Sequence, residues 1–311
     1  MSDATRPNPA QAPKGADAPK KAKGEFARFV ARFLEDRVAL FGLALISIIV
    51  LLALFAPLIA PQNPYDLARV DIMDSRQPPG AKALEGFTMW LGSDGVGRDL
   101  WSGILYGLRI SLVVGLASGM IAACLGLCVG LIAAYFGGRI ENVIMRIVDL
   151  QLSLPSVLVA LILVALLGKG VDKIILALVV VQWAYYARTV RGSALVERRK
   201  EYVEAARSLG LSHTRTMLRH ILPNCLAPVI VIATVQTAHA ISLEATLSFL
   251  GVGLPQTEPS LGVLISNGFQ YMLSGKYWIS FFPGVALLLT IVGINLVGDR
   301  LRDVLNPRLE K

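Results

Sequence analysis

Apolar residues in this chain are gathered into six long segments that are separated by polar stretches. The segments, which predict the transmembrane helices, are residues 38–60, 110–136, 150–168, 174–187, 226–250 and 277–298. An α-helix of about 20 apolar residues crosses a bilayer. Residues 174–187 are short for a crossing unless Thr189 and Val190 extend the helix. The pattern therefore predicts an all-α integral membrane protein with six transmembrane helices.

The polar stretches predict how the rest of the chain is organised. Residues 1–24 are rich in Pro, Ala and Lys and predict a disordered tail. Residues 25–37 form a basic amphipathic stretch suited to a membrane surface, and residues 61–107 are predicted to be a loop. The predicted domains are the tail (1–24), the amphipathic segment with the first helix and its loop (25–107), and a core with five helices (108–311). The remaining polar pieces are a short amphipathic segment at 139–149, a loop at 251–276 and a charged tail at 299–311.

Composition and charge agree with a membrane location. Of 311 residues, 54% are hydrophobic and only 17% charged, with a mean hydropathy of +0.60, which excludes an ordinary soluble domain. Three cysteines cannot form a disulfide framework. The net charge of +8 does not indicate nucleic-acid binding, because the charges are sorted by membrane side. Of the 30 Lys and Arg residues, 22 fall in segments on the same predicted side of the membrane as the N-terminus, and seven fall on the opposite side. The positive-inside rule then places both termini and residues 188–223 in the cytoplasm.

Residues 188–223 form the long polar interruption of the second half, with eight Lys or Arg and three Glu. Good helix formers at 197–209 predict one helix, and Gly210 suits the left-handed conformation that ends a helix. Ser212 is predicted to cap a second helix, which Pro223 is predicted to stop or kink. A basic two-helix hairpin at a membrane face suits docking to a soluble partner.

The spacing within this hairpin resembles the EAA signature of ABC importer permeases. The signature residues are Glu204-Ala205-Ala206, Gly210 four residues later, and Leu222-Pro223, with His220 where the family often has Ile. Three further runs, at 91–99, 219–224 and 295–303, resemble the C-type subunits of peptide and nickel importers. The chain is therefore identified as a member of the dipeptide/oligopeptide/nickel branch of these permeases.

The resemblance implies a type I ABC importer fold in a bacterial cytoplasmic (inner) membrane, with the EAA hairpin coupled to an ATPase. It also implies four partners besides the lipid bilayer: a homologous B-type permease, two ABC ATPase subunits and an extracytoplasmic substrate-binding protein. Dipeptides or short oligopeptides are the expected substrates; nickel chelates and glutathione remain alternatives. No nucleic-acid partner is expected.

The sequence also indicates which chemistry this chain lacks. It contains no Walker A pattern, so we expect ATP to be hydrolysed by separate subunits and the chain itself to be neither an enzyme nor a cofactor binder. His213 and His220 are seven residues apart on the hairpin, where a solvated or docking face is expected rather than a metal site. No metal ligand set is predicted.

Polar residues inside the apolar segments are the candidates for a translocation path, because burying them in lipid is costly. Gln236, His239 and Glu244 on the fifth segment are the principal ones. They either line a hydrated path or face the partner permease, or they serve polar packing between helices. Further residues with the same two interpretations are Thr234, Thr237 and Ser248 on the fifth segment. Gln182, Tyr185 and Tyr186 on the fourth segment either border a path or anchor the helix at the membrane interface. On the second segment, Gly115, Gly119, Gly126 and Gly130 include small-xxx-small pairs that favour close helix packing.

Two other classes of protein remain as alternatives. A secondary transporter would need ion-binding carboxylates near the midplane, for which Glu244 is the one candidate, and would leave the hairpin unexplained. A membrane-embedded hydrolase would have to use Ser242 and His239, but no oxyanion loop is recognisable beside them. Collapse of uptake on ATP depletion, rather than with an ionophore, would favour the ABC importer over the secondary transporter.

Overall fold

The computed structural model describes residues 25–305, which are predominantly helical. In chain order the helices are α1 (Glu25–Leu34), α2 (Arg37–Leu54), α3 (Ala56–Ile59), α4 (Leu100–Phe136), α5 (Gly138–Ser153), α6 (Ser156–Leu167), α7 (Val171–Glu197), α8 (Glu201–Ser208), α9 (His213–Arg215), α10 (Leu222–Phe249), α11 (Leu261–Phe269) and α12 (Trp278–Leu305). A π-helical turn, Thr216–Ile221, joins α9 to α10. The two short strands are β1 (Ala81–Lys82) and β2 (Thr88–Met89), paired antiparallel. The predicted tail at 1–24 lies outside the described residues.

Five helices within residues 25–305 are long and apolar enough to cross a membrane, and a bent helix pair makes up to six. They are α2, α4, α7, the continuous helix His213–Phe249, and α12. Several extend past the predicted segments. Helix α4 begins at Leu100 because Asp99 caps it, with its carboxylate accepting from the Ser102 N–H at 2.8 Å. The predicted loop at 61–107 therefore ends earlier, and α12 continues through Leu305 into the predicted charged tail.

The third predicted segment, residues 150–168, is part of a bent helix pair rather than one continuous helix. It is divided between α5 and α6, which meet at 91°. Leu154, between them, is extended (φ −87°, ψ 140°), because the residue before a proline is driven out of the helical region and Pro155 follows. The predicted amphipathic piece at 139–149 is the greater part of α5. Helix α6 has 12 residues, about 18 Å, and covers only part of a bilayer.

Of the two predicted outcomes at Pro223, a stop or a kink, the stop does not occur. The second helix of the hairpin continues past this residue. It runs on as His213–Phe249, and the predicted fifth transmembrane segment is its continuation. In a regular α-helix the ring of Pro223 would clash with the carbonyl of residue 219. The π-helical turn Thr216–Ile221 widens the backbone immediately before the proline and accommodates it.

The bundle has two ends. The hairpin end holds residues 134–141 and 191–222, and the loop end holds the connections at 55–99 and 251–277. Helices α4 and α7 run parallel, because residues later in α4 contact residues later in α7. Gly126 lies against Tyr186 and Gly130 against Ala187. Beyond them, the Ala134 carbonyl accepts a hydrogen bond from Arg198. Helix α10 runs antiparallel to α4, since Ser111 near the start of α4 meets Glu244 near the end of α10. Helices α2 and α12 pack together beside them.

Glycines allow α4 to approach its neighbours closely, as the sequence predicted. A methyl group added at Gly115 would lie 2.7 Å from Cγ1 of Ile241, and one added at Gly130 would lie 2.5 Å from the carbonyl oxygen of Ala187. Both separations are too short for a side chain. Gly119 is less confined, with Thr237 Oγ1 at 3.4 Å.

Candidate functional sites in the hairpin and in α10

The turn between the two hairpin helices has the local structure that its sequence predicts. Gly210 adopts the left-handed conformation (φ +72°) after α8. The Leu211 N–H then donates to the Ala206 carbonyl at 3.2 Å, a Schellman arrangement that satisfies a carbonyl at the helix end. Ser212 caps α9 by accepting from the Arg215 N–H at 3.4 Å. The hairpin is therefore held by its own backbone and caps.

The EAA residues divide between an exposed and a packed side. Glu204, Ala205, Gly210 and Pro223 are exposed, whereas Ala206 is buried and His220 and Leu222 are half-buried. Leu209, next to the turn, is 80% exposed. Val203, from the same helix, is fully buried in the apolar cluster between α4, α7 and α10. The hairpin thus exposes Glu204 and Leu209 on one side while its opposite side is anchored in the bundle.

Tyr202 joins α8 to both helices beside it. Its hydroxyl donates to Glu197 at the end of α7 at 2.6 Å and accepts from Asn224 of α10 at 3.2 Å. Lys200 also pairs with Glu197 at 2.6 Å. Burial, followed by the bond to Glu197, raises the pKa of Tyr202 to about 12. The hydroxyl therefore keeps its proton at physiological pH and continues to donate.

A second attachment joins the hairpin to the end of α4. The hydroxyl of Tyr135 lies 2.8 Å from Nδ1 of His213, and the guanidinium of Arg207 lies over the Tyr135 ring, 4.9 Å from its centroid. Arg198 donates to the Ala134 carbonyl at 2.8 Å. His213 is exposed, as expected for a solvated or docking face, and it also makes this contact within the protein. Tyr135 lies on the second apolar segment and carried no signal in the sequence beyond its place before Gly137.

Helix α5 is fastened to α7 by ion pairs close to the hairpin. Arg191 Nε donates to Glu141 at 2.8 Å, and Arg188 pairs with Asp149. Both arginines belong to the basic stretch that the sequence singled out. Part of the charge of this basic stretch therefore holds helices together.

Glu244 is enclosed by hydroxyl groups of this chain. Its side chain is fully buried and accepts from Ser248 at 2.8 Å and from Ser111 of α4 at 3.2 Å. The hydroxyl of Ser260, which caps α11, adds to the polar surroundings of the carboxylate. Three helices meet at this group, an arrangement that favours polar packing over a direct place in a path. Glu244 is 22 residues beyond Leu222 in one continuous helix, about 33 Å from the hairpin.

Buried polar atoms without a hydrogen-bond partner cluster on α7 and α10. They are both amide atoms of Gln182, the hydroxyl of Tyr186, Oε1 of Gln236 and Nδ1 of His239. Gln182 and Gln236 lie between two apolar clusters of the α7–α10 contact, one towards each end of the bundle. Leaving buried polar groups unpaired is costly, so this polar layer of α7 and α10 departs from ordinary packing between helices.

An apolar groove of about 410 Å³ opens beside this layer. Helices α2, α4, α7, α10 and α12 all contribute to it, and its polar lining residues are Tyr186, Thr234 and Thr237. Gln236, His239 and Glu244 are not among the residues that line it. The predicted polar stripe of α10 is therefore split between the groove and the enclosed Glu244 site.

Comparison with known proteins assigns the architecture. The family model described as the binding-protein-dependent transport system inner membrane component matches residues 126–311, and that of the N-terminal TM domain of oligopeptide transport permease C matches residues 25–79. The chain belongs to the family of binding-protein-dependent transport system inner membrane components. The resemblance inferred from the EAA signature is confirmed, and the protein is the permease subunit of an ABC importer.

Curated relatives match most of the permease. The dipeptide transport system permease protein DppC of Escherichia coli K12 is 42% identical over 90% of this chain and 92% of its own length. The oligopeptide transport system permease protein OppC of Bacillus subtilis is 35% identical over 90% and 88%, respectively. A solved inward-facing structure of the MetNI methionine ABC transporter covers 66% of this chain and 96% of its own, at 21% identity and a TM-score of 0.54. The last comparison supports the type I importer fold.

Proposed function

We propose that this permease carries dipeptides or short oligopeptides across the inner membrane, together with a homologous B-type permease, two ATPase subunits and an extracytoplasmic binding protein. The anchored hairpin carries the proposal. Its tip is exposed at Glu204 and Leu209, while Val203 and Tyr202 fasten it to the bundle. The names of the curated relatives support a peptide substrate.

The proposed mechanism is alternating access driven by the partner ATPases. Their closure on ATP moves the hairpin, and the attached helices move with it as one body because the hairpin is fixed on two sides. The spans then open outward beneath the docked binding protein, and hydrolysis resets them. The Lys and Arg distribution supports placing the hairpin end, and with it both termini, in the cytoplasm.

We further propose that Gln236 and His239 border the path, whereas Glu244, enclosed by Ser111 and Ser248, serves the packing between helices. The support is that Gln236 and His239 carry buried polar atoms without partners in the protein. A substrate contact predicts that Gln236→Leu or His239→Leu raises the KM for transport more than it lowers kcat. Equal loss of both parameters, or no change, would favour helix packing.

The decisive experiment is to purify the complex that this chain forms and reconstitute it in liposomes. We expect two Walker A ATPases and a second permease to copurify, and uptake to require internal ATP and the binding protein. Uptake that survives ATP depletion but collapses with an ionophore would overturn the proposal in favour of a secondary transporter. Titrating the binding protein with dipeptides, glutathione and a nickel chelate then identifies the substrate class.

A further inference from the structure

The contact of Tyr135 with His213 and Arg207 is the point at which α4 meets the hairpin. Tyr135 is 5% exposed and lies one residue before the end of α4. Its ring packs edge-on against His213, with centroids 5.5 Å apart, while its hydroxyl bonds Nδ1 of the same residue. Arg207 comes from the other hairpin helix, α8. One side chain of α4 thus touches both arms of the hairpin.

The opposite end of α4 is fixed to the loops at the loop end. Arg98, immediately before the capping residue Asp99, is buried in an ion pair with Asp94 at 2.7 Å. The same guanidinium donates to the carbonyl of Gln256 at 3.0 Å, in the loop that follows α10. The start of α4 is therefore held by a buried charge network that joins two loops.

Between these ends α4 is one uninterrupted helix. It has 37 residues, about 55 Å, and contains no proline. By contrast, α10 contains Pro228 and is preceded by the π-helical turn, and α12 contains Pro283. Proline removes a backbone hydrogen bond and permits bending. A displacement at the hairpin therefore passes more directly along α4 than along the helix that continues the hairpin covalently.

We propose that α4 transmits the hairpin movement to the loops at 61–99 and 251–260, and that Tyr135 is the positioning residue that engages it. The inference rests on the proposed importer function, in which those loops lie on the side of the binding protein. Tyr135 acts through His213 and Arg207. Its loss separates the ATPase cycle from the opposite face of the membrane without removing the hairpin itself.

The test compares Tyr135→Leu, Tyr135→Phe and wild type in the complete reconstituted complex with its binding protein. The measured quantities are basal ATPase rate, stimulation of that rate by the binding protein, and substrate transported per ATP hydrolysed. For Tyr135→Leu we expect assembly and basal ATPase activity to be retained, whereas stimulation and transport per ATP fall at least about fivefold, within the range of allosteric couplings. Tyr135→Phe keeps the ring for Arg207 but loses the hydroxyl, so its loss should be intermediate.

Phe41→Leu is the control, because Phe41 is also aromatic but lies 61% exposed on α2, outside the hairpin, α4 and both loops. It should leave transport per ATP unchanged. If Tyr135→Leu transports as much substrate per ATP hydrolysed as wild type, the inference is overturned. If the complex with Tyr135→Leu fails to assemble, the test rests on Tyr135→Phe. Wild-type transport per ATP hydrolysed in that variant would equally overturn the inference. If the wild-type complex itself shows no ATP-dependent uptake, the proposed function has failed instead.

Discussion

Replacement of Gly130 by alanine tests the close contact between α4 and α7. The added methyl group would lie 2.5 Å from the Ala187 carbonyl and 3.0 Å from Cβ of Val190, so one helix must move. Overpacking of this kind costs about 1–3 kcal/mol. Alanine also gains about 0.5–1 kcal/mol over glycine within a helix, which offsets part of the cost.

Gly192 of α7 supplies the matched control. A methyl group there meets nothing within 4 Å, so Gly192→Ala gains only the helix propensity term. Because that term is common to both variants, their unfolding free energies should differ by about 1–3 kcal/mol, with Gly130→Ala the less stable. Gly126→Ala should resemble Gly130→Ala, since it faces Tyr186 and the Trp183 carbonyl of the same helix.

The assay is unfolding of the purified chain in detergent, followed by tryptophan fluorescence, with all variants measured in one detergent. Equal stability of Gly130→Ala and Gly192→Ala would show that α4 and α7 do not approach closely at this level. That result would refute the packing argument.

Three further predictions concern the turn, the start of α4 and the buried carboxylate. Gly210 has φ +72° and no neighbouring atom in the way of a side chain, so Gly210→Val should strain the turn by about 1–2 kcal/mol and weaken copurification of the ATPase. Gly210→Asn should weaken copurification less, because Asn tolerates the left-handed conformation. Similar losses of copurified ATPase in both variants would contradict this. Burial raises the pKa of the Asp99 carboxyl, so the ionised form destabilises the fold, and the lost stability returns as pH falls through this raised pKa to the ordinary pKa of an aspartate. Asp99→Asn should therefore be more stable than wild type at neutral pH, with the difference shrinking on acidification in thermal unfolding; a constant difference would contradict this. Glu244→Leu removes the hydrogen-bond acceptor of Ser111 and Ser248 and should destabilise the permease by about 1–3 kcal/mol. Glu244→Gln keeps an acceptor oxygen and should lose less stability. Equal unfolding temperatures for the two variants and wild type would argue against the enclosed site.

Residues whose conformation depends on near neighbours in sequence were predicted well. Gly210 and Ser212 take the expected turn and cap, because both features satisfy backbone groups within a few residues. Asp99 was missed as a helix start although its cap is equally local, because the predicted start was taken from the apolar pattern. A helix can begin in polar sequence when a capping residue is present. The apolar pattern marks only the part of the helix that lies in the lipid or in the protein core.

The polar residues of α10 show where sequence reasoning ends. Their spacing placed Thr234, Thr237 and Glu244 on one stripe, but it did not distinguish a path from packing. Ser111, 133 residues away in sequence, provides part of the enclosure around Glu244. The contact of His213 with Tyr135 was likewise not foreseen, because the two residues are 78 positions apart in sequence.

The sequence by itself determined the class of protein, the positions of most transmembrane helices and the hairpin, since hydropathy, helix caps and turn glycines act locally. Only the tertiary structure decided the right-angled break at Leu154, the continuity of the helix through Pro223, and the contacts that fix the hairpin to α4. Whether a proline ends, bends or merely widens a helix depends on the backbone before it and on what packs there. Contacts such as that of Tyr135 with His213 depend on which helices become neighbours, and the packing of the whole bundle sets that choice.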